Sequence, residues 1–323
     1  MAYSTMDQPA SLFVLGSFVV ACSAKVPHLP RPGESLRAEA FTAEPGGKGL
    51  NLALGAHRLG ARVDGIFSIG TDLFSQLAQS AFAQTGLSSA MLRQVDAKTG
   101  SGIGFTDSHG ENCLAVCPGA NLLLSAQDIR SVEQAVREAH LVLAQFEIGD
   151  EPILEAFALA QDAGVRTLLN PSPFRHVDQR MLEYTSVLVL NCVEATQLAE
   201  ASGFGAHGTL ESLNDMAAAL LEQGPELIVV TLGSEGAIAY QKGIPPLRQP
   251  SFPVKVIDTL GAGDAFTAGL AVGLLQGRPL PECLRQATAC GAILCMEIGV
   301  FDVLPNFEQL DLFLAAQDAE RIQ

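Results

Sequence analysis

Short apolar runs rich in β-branched residues alternate along the chain with alanine-rich segments of helical periodicity. The apolar runs predict strands over 11–20, 62–70, 141–146, 165–170, 186–191 and 227–233. The alanine-rich segments predict helices over 49–59, 73–86, 152–164, 195–202, 213–224, 264–277 and 280–296. Strands that alternate with helices form a parallel sheet covered on both faces. The pattern therefore predicts an α/β fold, a three-layer α/β/α sandwich with a mainly parallel central sheet.

Two regions interrupt this alternation. Residues 23–45 and 99–117 are rich in Gly, Pro and Ser and contain only short alternating stretches, which favours a small separate β-sheet that acts as a lid. We place this lid at about 21–45 and 99–118. Because the chain contains no low-complexity linker and no repeat of fixed period, we expect residues 1–323 to form one domain.

Charge and composition narrow the classes of partner. A formal charge of −16 leaves no basic surface to neutralise phosphates, which argues against a nucleic-acid partner. The longest apolar run, 12–24, is too short and too interrupted by Gly16 and Ser17 to span a bilayer. The first ten residues lack a basic segment before an apolar stretch, so we expect a cytoplasmic protein without a membrane partner. The seven cysteines show no Cys-x-x-Cys spacing and are interpreted as reduced, mostly buried thiols.

Two glycine-rich segments fail the common nucleotide-binding patterns. In "EPGGKGLN" (44–51), the first glycine of a P-loop is replaced by Thr42, and Gly49 stands where Ser or Thr would bind magnesium. In "GAGDAF" (261–266), Phe266 occupies the third glycine position of the dinucleotide fingerprint. The sequence therefore supports neither a P-loop nucleotide-binding protein nor a Rossmann oxidoreductase.

The segment "DTLGAGDAF" (258–266) fits a different chemistry. Gly261, Ala262 and Gly263 precede a helix that is predicted to start near Asp264, so their N–H groups can bind an anion at the positive end of the helix dipole. An adjacent carboxylate can accept the proton of a hydroxyl group that attacks a phosphate, which is the arrangement needed for phosphoryl transfer. The alternative is a simple helix start in which Asp264 is the N-cap.

Further motifs identify the family that the chain resembles. "GGKGLNLALGAHRLGA" (46–61) and "DTLGAGDAFTAGL" (258–270) resemble the two signatures of the ribokinase-like (PfkB) carbohydrate kinases. Between them lie "PGAN" (118–121), "QFE" (145–147), "NPSP" (170–173), "NCVE" (191–194) and "TLGSEG" (231–236), in the order expected for the family. The resemblance covers nearly the whole chain and implies a central sheet flanked by helices, with a small β-sheet lid that often forms a dimer contact.

The resemblance also implies roles for individual residues. Asp264 corresponds to the catalytic base, with the anion hole at Gly261, Ala262 and Gly263. Sugar hydroxyls would be held by Gly47, Lys48, Asn51 and Glu147. Asn191 and Glu194 match the motif of the Mg²⁺–phosphate network, and ATP would lie against Thr231, Gly233, Gly236, Thr288 and Ala292. Potassium, in members that need it, would bind at Asp258 and the carbonyl of Leu260. For Lys48 and Glu147 the alternatives are a solvated surface lysine and an exposed residue at a strand end.

The chain departs from the ribokinase pattern at the sugar site. Ribokinases carry Asn-x-Asp after the first strand, whereas this sequence has Val19 and Ala21, so two polar contacts are replaced by aliphatic groups. A site that has lost such hydroxyl-binding groups is expected to change its choice of substrate. At the potassium site, Val303 replaces a serine and Glu297 replaces a basic residue.

The sequence therefore predicts an ATP-dependent kinase for a primary hydroxyl of a pentose or related carbohydrate, with ATP and Mg²⁺ and with K⁺ as a further candidate. The first alternative is a nucleoside kinase of the same family, because Val19 and Ala21 suit a less hydroxylated ligand. The second is a sugar- or nucleotide-binding regulator without catalysis, which the intact Asp264 disfavours. A homodimer formed through the lid is expected.

Overall fold

The computed structural model describes residues 10–109, 111–203 and 210–322. Thirteen strands lie within these residues. They are β1 (Ser11–Gly16), β2 (Val19–Lys25), β3 (Ala40–Gly46), β4 (Arg62–Ile69), β5 (Leu92–Gln94), β6 (Gly100–Thr106), β7 (Asn112–Cys117), β8 (Leu141–Gln145), β9 (Arg166–Asn170), β10 (Val187–Asn191), β11 (Leu227–Thr231), β12 (Ala237–Gln241) and β13 (Ile244–Gln249).

The same residues contain eleven α-helices. They are α1 (Lys48–Arg58), α2 (Leu73–Thr85), α3 (Ala126–Ser131), α4 (Glu133–Arg137), α5 (Asp150–Asp162), α6 (Gln179–Glu183), α7 (Cys192–Ala201), α8 (Leu210–Leu220), α9 (Ala262–Leu275), α10 (Leu280–Leu294) and α11 (Phe307–Ile322). No helix in the described ranges combines the length and the apolar composition needed to cross a membrane.

Nine of these strands form a mainly parallel sheet in the order β13-β12-β11-β10-β9-β8-β1-β4-β5. Only the pairings of β12 are antiparallel, with β11 and β13 at one edge. The two faces of the sheet are covered by separate apolar clusters, one with side chains of α1, α2, α9 and α10 and the other with side chains of α3 to α8. The predicted three-layer α/β/α sandwich is confirmed.

The remaining four strands form the small sheet, in the order β3-β2-β6-β7. Its strands fall within or close to the predicted lid segments, although β2 begins at Val19, two residues before the predicted boundary. The pairings place Val19, Ala21, Gly46 and Gly102 on one face, and Phe41, Ile103 and Phe105 on the other. We call these the inner face and the outer face of the small sheet.

The predicted strand over 11–20 is wrong as a single element. The chain leaves the large sheet after Gly16 and enters the small sheet at Val19, and Ser17 and Phe18 connect the two. The N–H of Phe18 donates to Oδ1 of Asn121 at 2.9 Å, and Nδ2 of Asn121 donates to the Phe18 carbonyl at 2.9 Å. The buried Asn121 amide therefore satisfies both backbone groups of Phe18, as a neighbouring strand would.

All seven cysteines are free thiols, but the expectation that most are buried is wrong. Cys113, Cys117 and Cys192 are exposed, and only Cys283 and Cys290 are fully buried. The first two lie on β7, an edge strand of the small sheet that the helical layers do not cover. Burial raises the pKa of the Cys290 thiol to about 12, as expected for a thiol used only in packing.

Candidate active site

The start of α9 provides an exposed helix N-terminus. Gly261 is the N-cap residue, with φ of 75°, and Ala262 and Gly263 already belong to the first turn. The helix thus begins two residues before the predicted start, and the alternative in which Asp264 caps it is wrong. A Cβ at position 261 would lie 2.7 Å from Cγ1 of Val300, whereas a Cβ at position 263 would meet nothing within 4 Å. Gly261 is therefore required by the fold, and Gly263 leaves open space beside the helix end.

The N–H groups at this helix end differ in availability. The Ala262 N–H donates to the Thr259 carbonyl at 3.3 Å, a long contact within the turn. Gly263 and Asp264 occupy the second and third positions of α9, where N–H groups have no partner inside a helix. The predicted anion site is consequently centred on Gly263, with Ala262 as a weaker contributor.

Asp264 is buried, with 5% of its surface exposed, and is held by two residues of α1. Its Oδ2 accepts a hydrogen bond from Nδ2 of Asn51 at 2.8 Å, and Nζ of Lys48 lies 3.5 Å from Oδ1. The helices α1 and α9 can approach closely because the facing residues are small: a Cβ at Gly55 would lie only 2.9 Å from Cβ of Ala268. The fold thus brings together Lys48, Asn51 and Asp264, three residues of the predicted site.

Lys48 is not the solvated surface lysine of the alternative interpretation, because only 29% of its side chain is exposed. The Asp264 carboxylate is the largest influence on its pKa, and Glu147 and Glu194 add to it. Together they hold the pKa of Lys48 above its ordinary value, although burial opposes them. Lys48 is therefore a cation in this cluster of carboxylates at neutral pH.

Glu147 follows β8 and is half-buried, so the alternative of an exposed residue at a strand end is also wrong. Its Oε2 accepts hydrogen bonds from Oγ of Ser17 at 2.6 Å and from the N–H of Lys48 at 2.8 Å. Burial raises the pKa of Glu147 above its ordinary value, and these donors and the Lys48 ammonium oppose the rise. The carboxylate lies at the start of α1, beside Lys48.

The last predicted sugar-site residues are Gly47 and Asn51. Gly47 has φ of 107°, and a Cβ there would lie 2.9 Å from the Ser17 carbonyl oxygen, so glycine is required where α1 begins. Asn51 is buried, and its Oδ1 has no hydrogen-bond partner in the described structure. Burying an acceptor without a hydrogen-bond partner lowers the stability of the folded protein, unless a ligand supplies the donor.

Asn191 and Glu194 form a capping box at the start of α7. The N–H of Glu194 donates to Oδ1 of Asn191 at 2.8 Å, and the N–H of Asn191 donates to Oε2 of Glu194 at 2.9 Å. Both residues line a cavity of about 140 Å³, which is also lined by Lys48, Asp264, Gly261 and Gly263. The structure therefore places the predicted Mg²⁺–phosphate residues beside the predicted base.

A second cavity of about 990 Å³ adjoins the first, because Asn191, Thr231 and Gly263 line both. Its walls are mostly apolar, and they include the predicted ATP-binding residues Thr231, Gly233, Gly236, Thr288 and Ala292. The hydroxyl of Thr288 is buried without a hydrogen-bond partner in the described structure. A large apolar cavity with a few polar groups, connected to a small polar one, fits a nucleotide beside a second substrate.

The predicted potassium residues line neither of these two cavities. The carboxylate of Asp258 accepts hydrogen bonds from the N–H of Leu260 at 3.0 Å and from the N–H of Gly299 at 3.2 Å. Asp258 thus joins the loop before α9 to the loop after α10. At position 303 a valine side chain packs against the core and offers no oxygen to an ion.

Three residues of this region, Ser17, Asn170 and Ser172, were given no role from the sequence, although the last two lie in the quoted motif "NPSP". Ser17 contacts Glu147, and Asn170 and Ser172 line the smaller cavity. A signal was available for each, because Asn170 ends a buried strand of the parallel sheet, and Ser17 and Ser172 lie within two residues after such a strand. Polar residues at the carboxyl ends of such strands are positioned to face a ligand.

Comparison with known proteins agrees with this geometry. The profile of the family described as pfkB family carbohydrate kinase matches residues 9–306. A ribokinase of Mus musculus is 30% identical over 315 residues, 95% of this chain and 96% of the relative. A deoxyribokinase of Salmonella typhi is 28% identical over 308 residues, 94% of this chain and 99% of the relative. The structure of Arabidopsis thaliana ribokinase complexed with ribose and ATP has a TM-score of 0.86 and 28% identity, covering 95% of this chain and 98% of that one.

The fold, the paired cavities and these matches define a carbohydrate kinase. The family profile accounts for nearly the whole chain. The chain belongs to the pfkB family of carbohydrate kinases.

Proposed function

We propose that this kinase transfers the γ-phosphate of ATP to a primary hydroxyl of a pentose or related carbohydrate. The observation that carries the proposal is the position of Asp264, a buried carboxylate beside an exposed helix N-terminus, in a small polar cavity that adjoins a large apolar one. The large cavity accommodates the nucleotide, and the small one accommodates the reacting hydroxyl. The ribokinase of Arabidopsis thaliana, whose structure was solved with ribose and ATP, supports this pair of ligands.

In this proposal Asp264 accepts the proton of the attacking hydroxyl. Asn51 and Lys48 fix the orientation of its carboxylate, and the N–H groups at the start of α9 stabilise charge on the transferred phosphoryl group. The free Oδ1 of Asn51 and the carboxylate of Glu147 are the acceptors for sugar hydroxyls. Gly47 allows α1 to begin directly against the Ser17 carbonyl, which brings Lys48 and Asn51 to the proposed sugar site.

Magnesium is part of the proposal, because Glu194 presents carboxylate oxygens, the ligands that Mg²⁺ prefers, to the small cavity. When bound, the ion would neutralise the charge on the ATP phosphates. Glu194 and Asn191 would hold it, with water between them and the ion. Potassium binding at Asp258 and Leu260 stays a prediction, as does a cytoplasmic location.

The part of the inner face formed by Val19 and Ala21 supports a substrate with fewer hydroxyls at these two positions than ribose. Val19, Ala21 and Gly46 lie together there, since a Cβ on Gly46 would be 3.6 Å from Cβ of Ala21 and 3.8 Å from Cγ2 of Val19. None of the three offers a hydrogen bond from its side chain. The match to a deoxyribokinase agrees with a less hydroxylated sugar, and a nucleoside is the second candidate for the same reason.

A panel of acceptors tests the proposed function. ADP release is measured with ATP·Mg²⁺ and ribose, 2-deoxyribose, other sugars or nucleosides, each with and without potassium. We expect turnover with a sugar, and a higher kcat/KM for a deoxy sugar than for ribose. A higher kcat/KM for nucleosides would establish the nucleoside kinase, and binding without turnover would establish the regulator.

A homodimer through the small sheet is the second part of the proposal. Phe41 and Ile103 on the outer face are 65% and 55% exposed, and Ala43, Cys22 and Ala115 lie in line with Ile103 across the sheet. Large apolar side chains that cluster on one exposed face are typical of a protein interface. A second copy of the same sheet would cover this face.

We expect Ile103→Glu to convert the dimer to a monomer, because a charge would be buried without a partner at the interface. Light scattering coupled to size exclusion measures the mass. Leu312→Glu on α11 is the matched control, since Leu312 is an exposed aliphatic residue like Ile103 but lies outside the small sheet. A monomeric parent protein, or an unchanged mass in Ile103→Glu, would refute this interface.

A further inference from the structure

Ser17 lies fully buried where the chain passes from β1 into the small sheet. Its Oγ accepts a hydrogen bond from the N–H of Gly49 at 2.9 Å, and its O–H donates to Oε2 of Glu147 at 2.6 Å. The Gly49 N–H can only donate, and the carboxylate is an acceptor, so the hydroxyl hydrogen has one direction to take. The Ser17 hydroxyl thus connects the end of β1, the start of α1 and the segment after β8.

The two oxygens of Glu147 are consequently not equivalent. Oε2 accepts from two donors, the Ser17 hydroxyl and the Lys48 N–H at 2.8 Å. A carboxyl oxygen that accepts two hydrogen bonds is not the oxygen that carries a proton, so any proton added to Glu147 goes to Oε1. The N–H of Glu147 donates to Oε1 of Gln145 at 2.5 Å, which fixes the backbone as well.

We propose that Ser17 is a positioning residue for the sugar: it anchors Oε2 of Glu147, so that Oε1 is presented to the sugar hydroxyl as an unprotonated acceptor. Ser17 itself does not touch the substrate. This inference rests on the proposed function, in which Glu147 binds the sugar. The new element is the role of the Ser17 hydroxyl, which determines both the orientation and the protonation of the Glu147 carboxylate.

The charges around Glu147 give the inference a pH signature. The charged groups that face it are Lys48 on α1, whose ammonium lowers its pKa, and Asp264 on α9, whose carboxylate raises it. Burial raises the pKa further, and the Ser17 hydroxyl is the main group opposing burial. Without that hydroxyl the pKa of Glu147 rises. Because protonated Oε1 donates instead of accepting, sugar binding is then lost at a higher pH during acidification.

The test compares Ser17→Ala with the parent enzyme in steady-state kinetics across pH. We expect the sugar KM to rise by about ten- to hundredfold. This is the range for losing a hydrogen bond to a charged group, here the bond between the sugar hydroxyl and the misoriented Glu147 carboxylate. The KM for ATP stays unchanged, and the acid limb of kcat/KM for the sugar moves to higher pH. Ser75→Ala is the control, because Ser75 is another buried serine near a helix start and its hydroxyl donates to the Asp72 carbonyl at 2.7 Å. It should leave all three quantities unchanged.

Glu147→Gln separates failure of this inference from failure of the proposed function. We expect this variant to raise the sugar KM and abolish the acid limb that depends on Glu147, and adding Ser17→Ala to it should change little more. If Glu147→Gln leaves the sugar KM unchanged, the assignment of Glu147 to the sugar site is wrong. If Glu147→Gln raises the sugar KM but Ser17→Ala lowers only the melting temperature, or if the two effects add fully, the positioning role is wrong.

A second variant keeps the inference testable if Ser17→Ala does not fold. Ser17→Cys keeps nearly the same volume but has a much weaker donor. We expect the sugar KM and the acid limb to change in the same direction as in Ser17→Ala, by a smaller amount. A parent-like KM and pH profile in Ser17→Cys would overturn the proposal.

Discussion

Asp264→Asn is expected to lower kcat by about 10²- to 10⁴-fold, the contribution typical of a general base, while ATP binding persists. The amide cannot accept the hydroxyl proton, yet it has nearly the shape of the carboxylate and remains within reach of Asn51. Asp264 does not line the adjoining large cavity, so we expect nucleotide binding there to be unaffected. Single-turnover kinetics measure the chemical step, and calorimetry with ATP·Mg²⁺ measures the binding.

Asp162→Asn is the control for this variant, because Asp162 lies on the exposed part of α5 and outside both cavities. It should leave kcat unchanged. Parent-like turnover in Asp264→Asn would remove the base from the proposed mechanism. A loss of ATP affinity equal to the loss of kcat would instead indicate a structural role for Asp264.

Gly261→Ala is expected to lower kcat by about 10²-fold, comparable to losing one donor of an oxyanion hole. The new methyl group would lie 2.7 Å from Cγ1 of Val300, so the turn before α9 must shift and carry the N–H groups of that turn with it. Gly277→Ala is a matched control, because Gly277 also has positive φ, 65°, but a Cβ there meets nothing within 4 Å. It imposes the backbone strain without the clash, at a site away from the cavities.

Val300→Ala provides the complementary test, since it removes the atoms that the new methyl group meets. We expect Gly261→Ala/Val300→Ala to recover part of the lost kcat, whereas Val300→Ala alone changes kcat little. If Gly277→Ala and Gly261→Ala lose kcat equally, backbone strain and not displacement of the turn explains the effect. A Gly261→Ala enzyme with parent-like kcat would show that the turn does not bind the phosphoryl group.

The layers of the fold could be predicted because they depend on local patterns. Strands such as β8 and β11 are buried on both faces, so they read as continuous apolar runs. The antiparallel hairpin of β12 and β13 was not predicted. The exposed residues of β13, among them two prolines, lack the pattern of a buried strand.

The break at Ser17 and Phe18 could not be predicted from periodicity. The residues on both sides of the break are apolar and buried, so the run looks like one strand. The exchange between sheets depends on Asn121, which is 103 residues away from Phe18 in sequence. The sheet that a strand joins depends on residues distant in sequence, and a local hydrophobic pattern does not reveal them.

The residues of the candidate site could be predicted from the sequence, but the contacts between their side chains could not. The residues of the two signatures were identified, but the bond between Asn51 and Asp264 joins positions 213 residues apart. The predicted start of α9 was two residues too late, because aspartate is favoured both at the N-cap and in the first turn of a helix. The link from Asp258 to the Gly299 amide depends on how two loops meet, and sequence alone does not show this.

The Asn121 side chain has a consequence for how such an enzyme diversifies. It binds Phe18, where the chain enters the small sheet, and its Nδ2 also donates to the Pro118 carbonyl at 2.9 Å, where the chain leaves that sheet. The first entrance into the small sheet, before β2, and the last exit from it, after β7, are therefore fastened at one amide. Side chains farther out on β2 and β7 can therefore be substituted without breaking this attachment, so the specificity of the proposed sugar site can change while the small sheet stays in place.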